Sequence, residues 1–161
     1  MRLAEHPRVV ATKEASGNLE QIARICRERP SDVAVLAGDD AWTLPMLALG
    51  GDGVISVASN EIPSEMAALC AAARAGDWDG ARHHHERWLP LFLANFRGGP
   101  NPVPVKAALA LMGLLDGDAV RSPLLPLDDG PRAQLAEVLR ATGLVEASGG
   151  RMAGQAQEAV A

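Results

Sequence analysis

Three short stretches carry the residues best suited to chemistry. Lys13 follows the run "RVVAT", Gly38-Asp39-Asp40 follows "VAVLA", and Ala58-Ser59-Asn60 lies at the end of "GVISV". An amine at the end of an apolar run needs a reason. Of the 15 basic residues only Lys13 and Lys106 are lysine; arginine supplies positive charge elsewhere. Lys13 therefore reads as an amine needed for nucleophilicity rather than for charge. A neutral amine adds to a carbonyl carbon and forms an imine, and desolvation supplies the neutral form by disfavouring the ammonium. Gly38, with no side chain, lets a substrate or the lysine come close. The competing reading is a lysine that merely snorkels from a rim.

Other polar clusters have plainer readings. In "HHH", His83 to His85, successive helical side chains point about 100° apart, so the three cannot share one ion. His85 falls toward an apolar stripe, the other two toward solvent, and no metal is expected. Asp39-Asp40 fits a helix N-cap with favourable first-turn charge better than a metal pair. "GGDG", Gly50 to Gly53, leads into a strand, whereas a phosphate loop leads into a helix. The helix with Trp88, Phe92 and Phe96 reads as core or interface, not as a nucleic-acid platform.

The elements that must position these residues follow from hydrophobic periodicity. Three continuous apolar runs, Arg8–Thr12, Val33–Ala37 and Gly53–Val57, suit strands buried on both faces of a parallel sheet. Helical patterns separate them. Leu19, Ile22, Ala23 and Cys26 share a face that starts at a possible Asn18 cap and stops before Pro30. A second helix covers about 40–49 and stops at Gly50-Gly51. A third covers about 61–75, striped by Ile62, Met66, Leu69, Cys70 and Ala73, and stops at Gly76. Strand-helix alternation forces parallel neighbours, and their carboxyl ends bring Lys13, Gly38 and Ile55–Asn60 to one rim. Helices alone follow: one with Ala81, His85, Trp88, Leu89, Phe92 and Phe96 at helical spacing and Pro90 inside as a kink, one with Val105, Ala108, Leu109, Met112 and Leu115, and one over 131–142 led by Leu135, Val138 and Leu139. The expected divisions are 1–76, 77–145 and a small polar tail, 146–161.

Composition bounds the partners. The chain has 161 residues, 48% hydrophobic content and a net charge of −5. That fits a globular domain and gives no electrostatic reason to expect nucleic acid. No long apolar segment suggests a signal peptide or a membrane span. Cys26 and Cys70 read as buried thiols in a reducing, cytoplasmic setting.

Three strings carry a family resemblance: "VVATKEASGNLEQI", "LAGDDAWTLPMLALGGDGVISVASN" and "PNPVPVKAAL". Together the chain resembles, from Arg2 to Val145, the carboxyl-terminal half of the dihydrodipicolinate synthase family (4-hydroxy-tetrahydrodipicolinate synthases), pyruvate-dependent class I aldolases related to the N-acetylneuraminate lyases. "GDD" and "NPVPVK" favour the synthase branch. The resemblance implies an α/β fold, the last three βα units of a (β/α)8 TIM barrel followed by a helical carboxyl-terminal domain. It implies Lys13 as the lysine that forms the imine with pyruvate, Gly38 as a glycine lining the pocket, and Ile55 as a residue whose backbone lies beside the bound keto acid. It also implies a lyase of lysine biosynthesis that condenses pyruvate with aspartate semialdehyde, with no cofactor beyond the covalent imine. Full-length relatives of this kind are expected to be homo-oligomers.

The amino-terminal half is expected to hold the partners of that lysine: a threonine pair, an acid/base tyrosine and an arginine for the second substrate. The chain has 0 tyrosines, so no phenol replaces the one implied. The expectation is a truncated product with Met1 internal to a longer enzyme, inactive by itself. Three alternatives stand: pairing with a separate amino-terminal half, a non-catalytic subunit acting by association, and a sibling aldolase with another aldehyde.

Overall fold

The computed structural model of the chain describes residues 2–146. By internal contacts it divides between Phe92 and Leu93 into two compact units. Among the described residues there are three strands and six α-helices. The strands β1 (Ala11–Glu14), β2 (Ala34–Ala37) and β3 (Gly53–Val54) form one parallel sheet in the order β1-β2-β3. Lys13 is in register with Leu36, and Leu36 with Gly53.

The strands alternate between two faces, so they are not buried on both as their continuous apolar runs suggest. Val35 and Ala37 are fully buried and form a core with Ile22 of α1 (Leu19–Glu28) and Met46 of α2 (Thr43–Ala48). Leu36 is only half-buried and Lys13 is exposed, because alternation turns both to the face without that cover. β1 begins later and ends later than "RVVAT" predicts. The carbonyl of Val10 accepts the Ala34 N–H at 2.9 Å, yet the Val10 side chain is 69% exposed. Lys13 therefore lies within the strand, not after it. β3 is shorter than the expected Gly53–Val57. After the Ile55 N–H bonds the Ala37 carbonyl at 2.8 Å, the chain turns, and a 3-10 turn follows at Ala58–Asn60.

Local chemistry sets the helices. Asn18 caps α1, its side chain accepting the Gln21 N–H at 3.1 Å. A 3-10 turn, Asp40–Trp42, leads into α2. That helix stops at Gly50, whose φ of 90° places it in the left-handed region. α3 (Pro63–Arg74) begins on a proline and buries Met66, Leu69 and Ala73. In α4 (Trp78–Ala94), Ala81, Trp88 and Phe92 are buried as the spacing predicts and Pro90 lies inside the helix. Phe96 falls beyond its end and is 45% exposed, while Leu91 is fully buried in its stead.

In the second unit α5 (Val103–Leu111) packs against α6 (Asp129–Ala141), and Val105 and Ala108 of the first helix and Leu135 and Leu139 of the second are buried. Leu115, placed on the α5 stripe by its spacing, lies beyond the helix and is exposed. Lys106 donates to the Ala119 carbonyl, and Arg132 pairs with Asp118. The expected polar tail falls, from residue 147 on, outside the described residues.

Candidate active site

Register brings the expected rim residues together. Lys13 stands one residue before the end of β1, and Gly38 directly follows β2. The Gly38 N–H bonds the Glu14 carbonyl at 2.7 Å, which holds the two strand ends side by side. A Cβ built on Gly38 would fall 2.6 Å from the Ala15 Cβ, 2.8 Å from the Lys13 Cε and 3.0 Å from the Lys13 Cγ. The lysine stem thus runs over Gly38, and only glycine leaves it that path. Ile55 follows β3 on the same side of the sheet and is 45% exposed.

The desolvation that the sequence argument invokes for Lys13 is not present among the described residues: its side chain is exposed. The neighbouring Glu14 is the buried one. It accepts the Ser16 N–H at 2.8 Å and the Gln21 amide at 3.4 Å, and so fixes the chain immediately after the lysine.

Asp39 and Asp40 separate in role. Asp39 caps the following turn as expected, accepting the Ala41 N–H at 2.9 Å. Asp40 stands in the first turn, also as expected, but its carboxyl is turned to a distant loop. It is 0% exposed, and its Oδ2 accepts the N–H groups of Val57 at 3.1 Å and Ala58 at 3.0 Å. It joins the end of β2 to the loop after β3. Burial pushes its carboxyl above the ordinary value, and Asp39 adds to the push; the Ser56 hydroxyl and the Ala58 and Val57 amides pull it back. No sequence signal separated the two aspartates, since either fits an N-cap. Beyond the same loop lies an open groove of about 250 Å³ lined by Val54, Ser56, Ser59, Met66 and Cys70.

The histidine run also divides. His83 is exposed, and His85 packs against Phe92 with ring centroids 5.9 Å apart. Burial lowers the His85 imidazole below its ordinary value, and Glu86 opposes the shift. His84, expected in solvent, instead meets Glu65 at 3.2 Å, and the same carboxylate oxygen accepts the Trp88 indole N–H at 3.1 Å. Among the described residues no group of three or more His, Cys, Asp or Glu could hold a metal ion. No helix among them is long and apolar enough to cross a membrane. Cys26 and Cys70 are free, and burial raises both thiols.

Known proteins resemble this chain in sequence and fold along most of its length. The chain is 46% identical over 146 residues to a 4-hydroxy-tetrahydrodipicolinate synthase of Koribacter versatilis, covering 91% of this chain and 48% of that protein. The solved dihydrodipicolinate synthase of Cyanidioschyzon merolae with lysine bound superposes with a TM-score of 0.83 at 45% identity, over 89% of this chain and 48% of that one. The chloride-inhibited dihydrodipicolinate synthase of Acinetobacter baumannii complexed with pyruvate superposes with a TM-score of 0.84 at 36% identity, over 89% of this chain and 49% of that one. The chain spans about half the length of the relatives it matches. The Dihydrodipicolinate synthetase family model matches residues 1–142, and the chain belongs to that family.

Proposed function

We propose that this chain carries the imine-forming lysine of a pyruvate-dependent lyase, condensing pyruvate with aspartate semialdehyde when a full barrel is present. The observation that carries this reading is the path of Lys13 over Gly38 at the carboxyl ends of β1 and β2. The Lys13 amine adds to the keto carbon of pyruvate, forming a C–N bond, and the carbonyl oxygen leaves as water. The imine methyl then gives up a proton, and the resulting enamine carbon attacks the aldehyde. Ile55 supplies backbone beside the keto acid, and Gly38 lines the pocket. No resident cofactor takes part.

In this reading the chain is the last three βα units of a TIM barrel plus a helical carboxyl-terminal domain. The remaining strands cover the face that bears Lys13 and supply the desolvation and proton carriers that this half lacks. Imine chemistry needs such carriers as well as a nucleophile, so the half alone is inactive. Its exposed lysine supports that expectation.

The test is a single polypeptide joining the amino-terminal half of the Koribacter versatilis synthase to this chain. It is incubated with pyruvate, reduced with borohydride and mapped by peptide mass. The expected result is an adduct on Lys13, absent from the Lys13→Ala form. A folded hybrid that gains no adduct would overturn the reading.

A further inference from the structure

We infer that Asp40 is a positioning residue for the keto-acid site, fixing the backbone of residues 55–58 on the rim that bears Lys13. The inference rests on the function proposed above and deepens it.

A two-residue strand is a weak anchor for a loop that must present backbone to a substrate. β3 is such a strand, Gly53–Val54, and the bond from the Ile55 N–H to Ala37 is its last tie to β2. Beyond it, two further backbone bonds take over. The buried Asp40 carboxylate receives the Val57 and Ala58 N–H groups across 17 and 18 residues of chain. The Ser56 hydroxyl faces the same carboxyl. Ser56 and Ser59 also brace each other: the Ser56 Oγ accepts the Ser59 N–H at 2.7 Å, and the Ser59 hydroxyl donates to the Ser56 carbonyl at 3.2 Å. Ile55 is thus pinned on both sides, to β2 before it and to Asp40 after it, while its own side chain stays exposed.

The anchor of Asp40 is the rim itself. Asp40 lies two residues after Gly38, which touches the lysine stem. One short segment, Gly38 to Asp40, therefore sets the path of the nucleophile and the position of the loop opposite. Carboxylate acceptors for backbone N–H groups are strong and directional, and a buried one cannot trade them for water without cost. Asp40 acts on the reaction only through the loop.

The experiment compares Asp40→Asn with the unsubstituted protein by two measurements. In the first, borohydride trapping on the hybrid enzyme gives the pyruvate concentration for half-maximal Lys13 adduct. We expect Asp40→Asn to raise that concentration about tenfold, one decade of affinity, with the full adduct still reached at saturation. In the second, amide hydrogen exchange on the 161-residue chain follows Val57 and Ala58. Loss of protection at these two amides, with α1 unchanged, is the expected result. Ser56→Ala, which leaves both backbone bonds in place, should shift half-saturation less than Asp40→Asn does. An unchanged half-saturating concentration in a hybrid that traps pyruvate would overturn the inference, even if Asp40→Asn melts at a lower temperature. If the unsubstituted hybrid traps nothing, the proposed function fails by itself, and unchanged protection of Val57 and Ala58 would then overturn the Asp40 role separately.

Discussion

Lys13, Gly38 and Asp40 show what a residue type can and cannot disclose. Lys13 stands out in the sequence because the chain uses lysine so rarely and because it ends an apolar run. Gly38 was legible as a close-approach position, and the structure names what approaches: the lysine stem itself. The second aspartate of "GDD" was not legible, because a buried acceptor for a distant loop and an N-cap look alike in one dimension. Lys13 itself is exposed where desolvation was expected, because strand alternation turns it to the face opposite the core of Ile22, Val35, Ala37 and Met46. Gly38→Ala tests the contact most sharply. The new methyl would meet the Ala15 Cβ at 2.6 Å, a carbon that cannot swing aside, as well as the Lys13 Cε. Displacing a nucleophile by a fraction of an ångström to one ångström costs up to about 100-fold in rate. Adduct formation in the hybrid enzyme should therefore slow by about that factor in Gly38→Ala, read as the rate of trapping at fixed pyruvate.

At the scale of elements, starts and stops with a local cause were readable and those with a tertiary cause were not. Asn18 caps α1, and Gly50 and Gly76 adopt positive φ where α2 and α3 end. Asn18→Ala should cost about 1 kcal/mol of stability, measured by urea unfolding. The end of β3 was misplaced because Asp40, far away in sequence, pulls Val57 and Ala58 out of the strand. Phe96 and Leu115 keep helical spacing past the point where their helices stop, so periodicity alone overran the ends. His85 gives α4 a pH dependence with a definite sign. Its imidazole is depressed by burial against its ordinary 6.5, so the unfolded chain takes up the proton first. Stability contributed by the neutral ring is present above pH 6.5 and is lost as pH falls from there toward the folded value. Unfolding midpoints of the native chain and of His85→Gln should converge on acidification from pH 7.5 to 5. A difference that stays constant over that range would contradict the assignment.

At the scale of the whole molecule, the parallel α/β order was readable because crossovers leave few topologies, and the observed sheet follows it strand by strand. What surrounds the sheet could not be read from these residues. β1 and β3 are both edges among the described residues, and bare parallel edges invite association. The chain alone should therefore run as a mixture of self-associated species in size-exclusion chromatography, and the hybrid with a supplied amino-terminal half as one defined species. The groove beside β3, about 250 Å³ and flanked by Met66 and Cys70, lies at one of those edges. Cys70 should lose reactivity toward a thiol reagent in the hybrid if that edge becomes paired.

The central claim is that Lys13 is an imine-forming nucleophile, and trapping measures it most directly. The hybrid enzyme, reduced with borohydride in the presence of pyruvate, should carry its adduct on the peptide containing Lys13, with Lys106 unmodified and the Lys13→Ala form blank. A folded hybrid with no adduct, or an adduct that survives Lys13→Ala, would contradict the account.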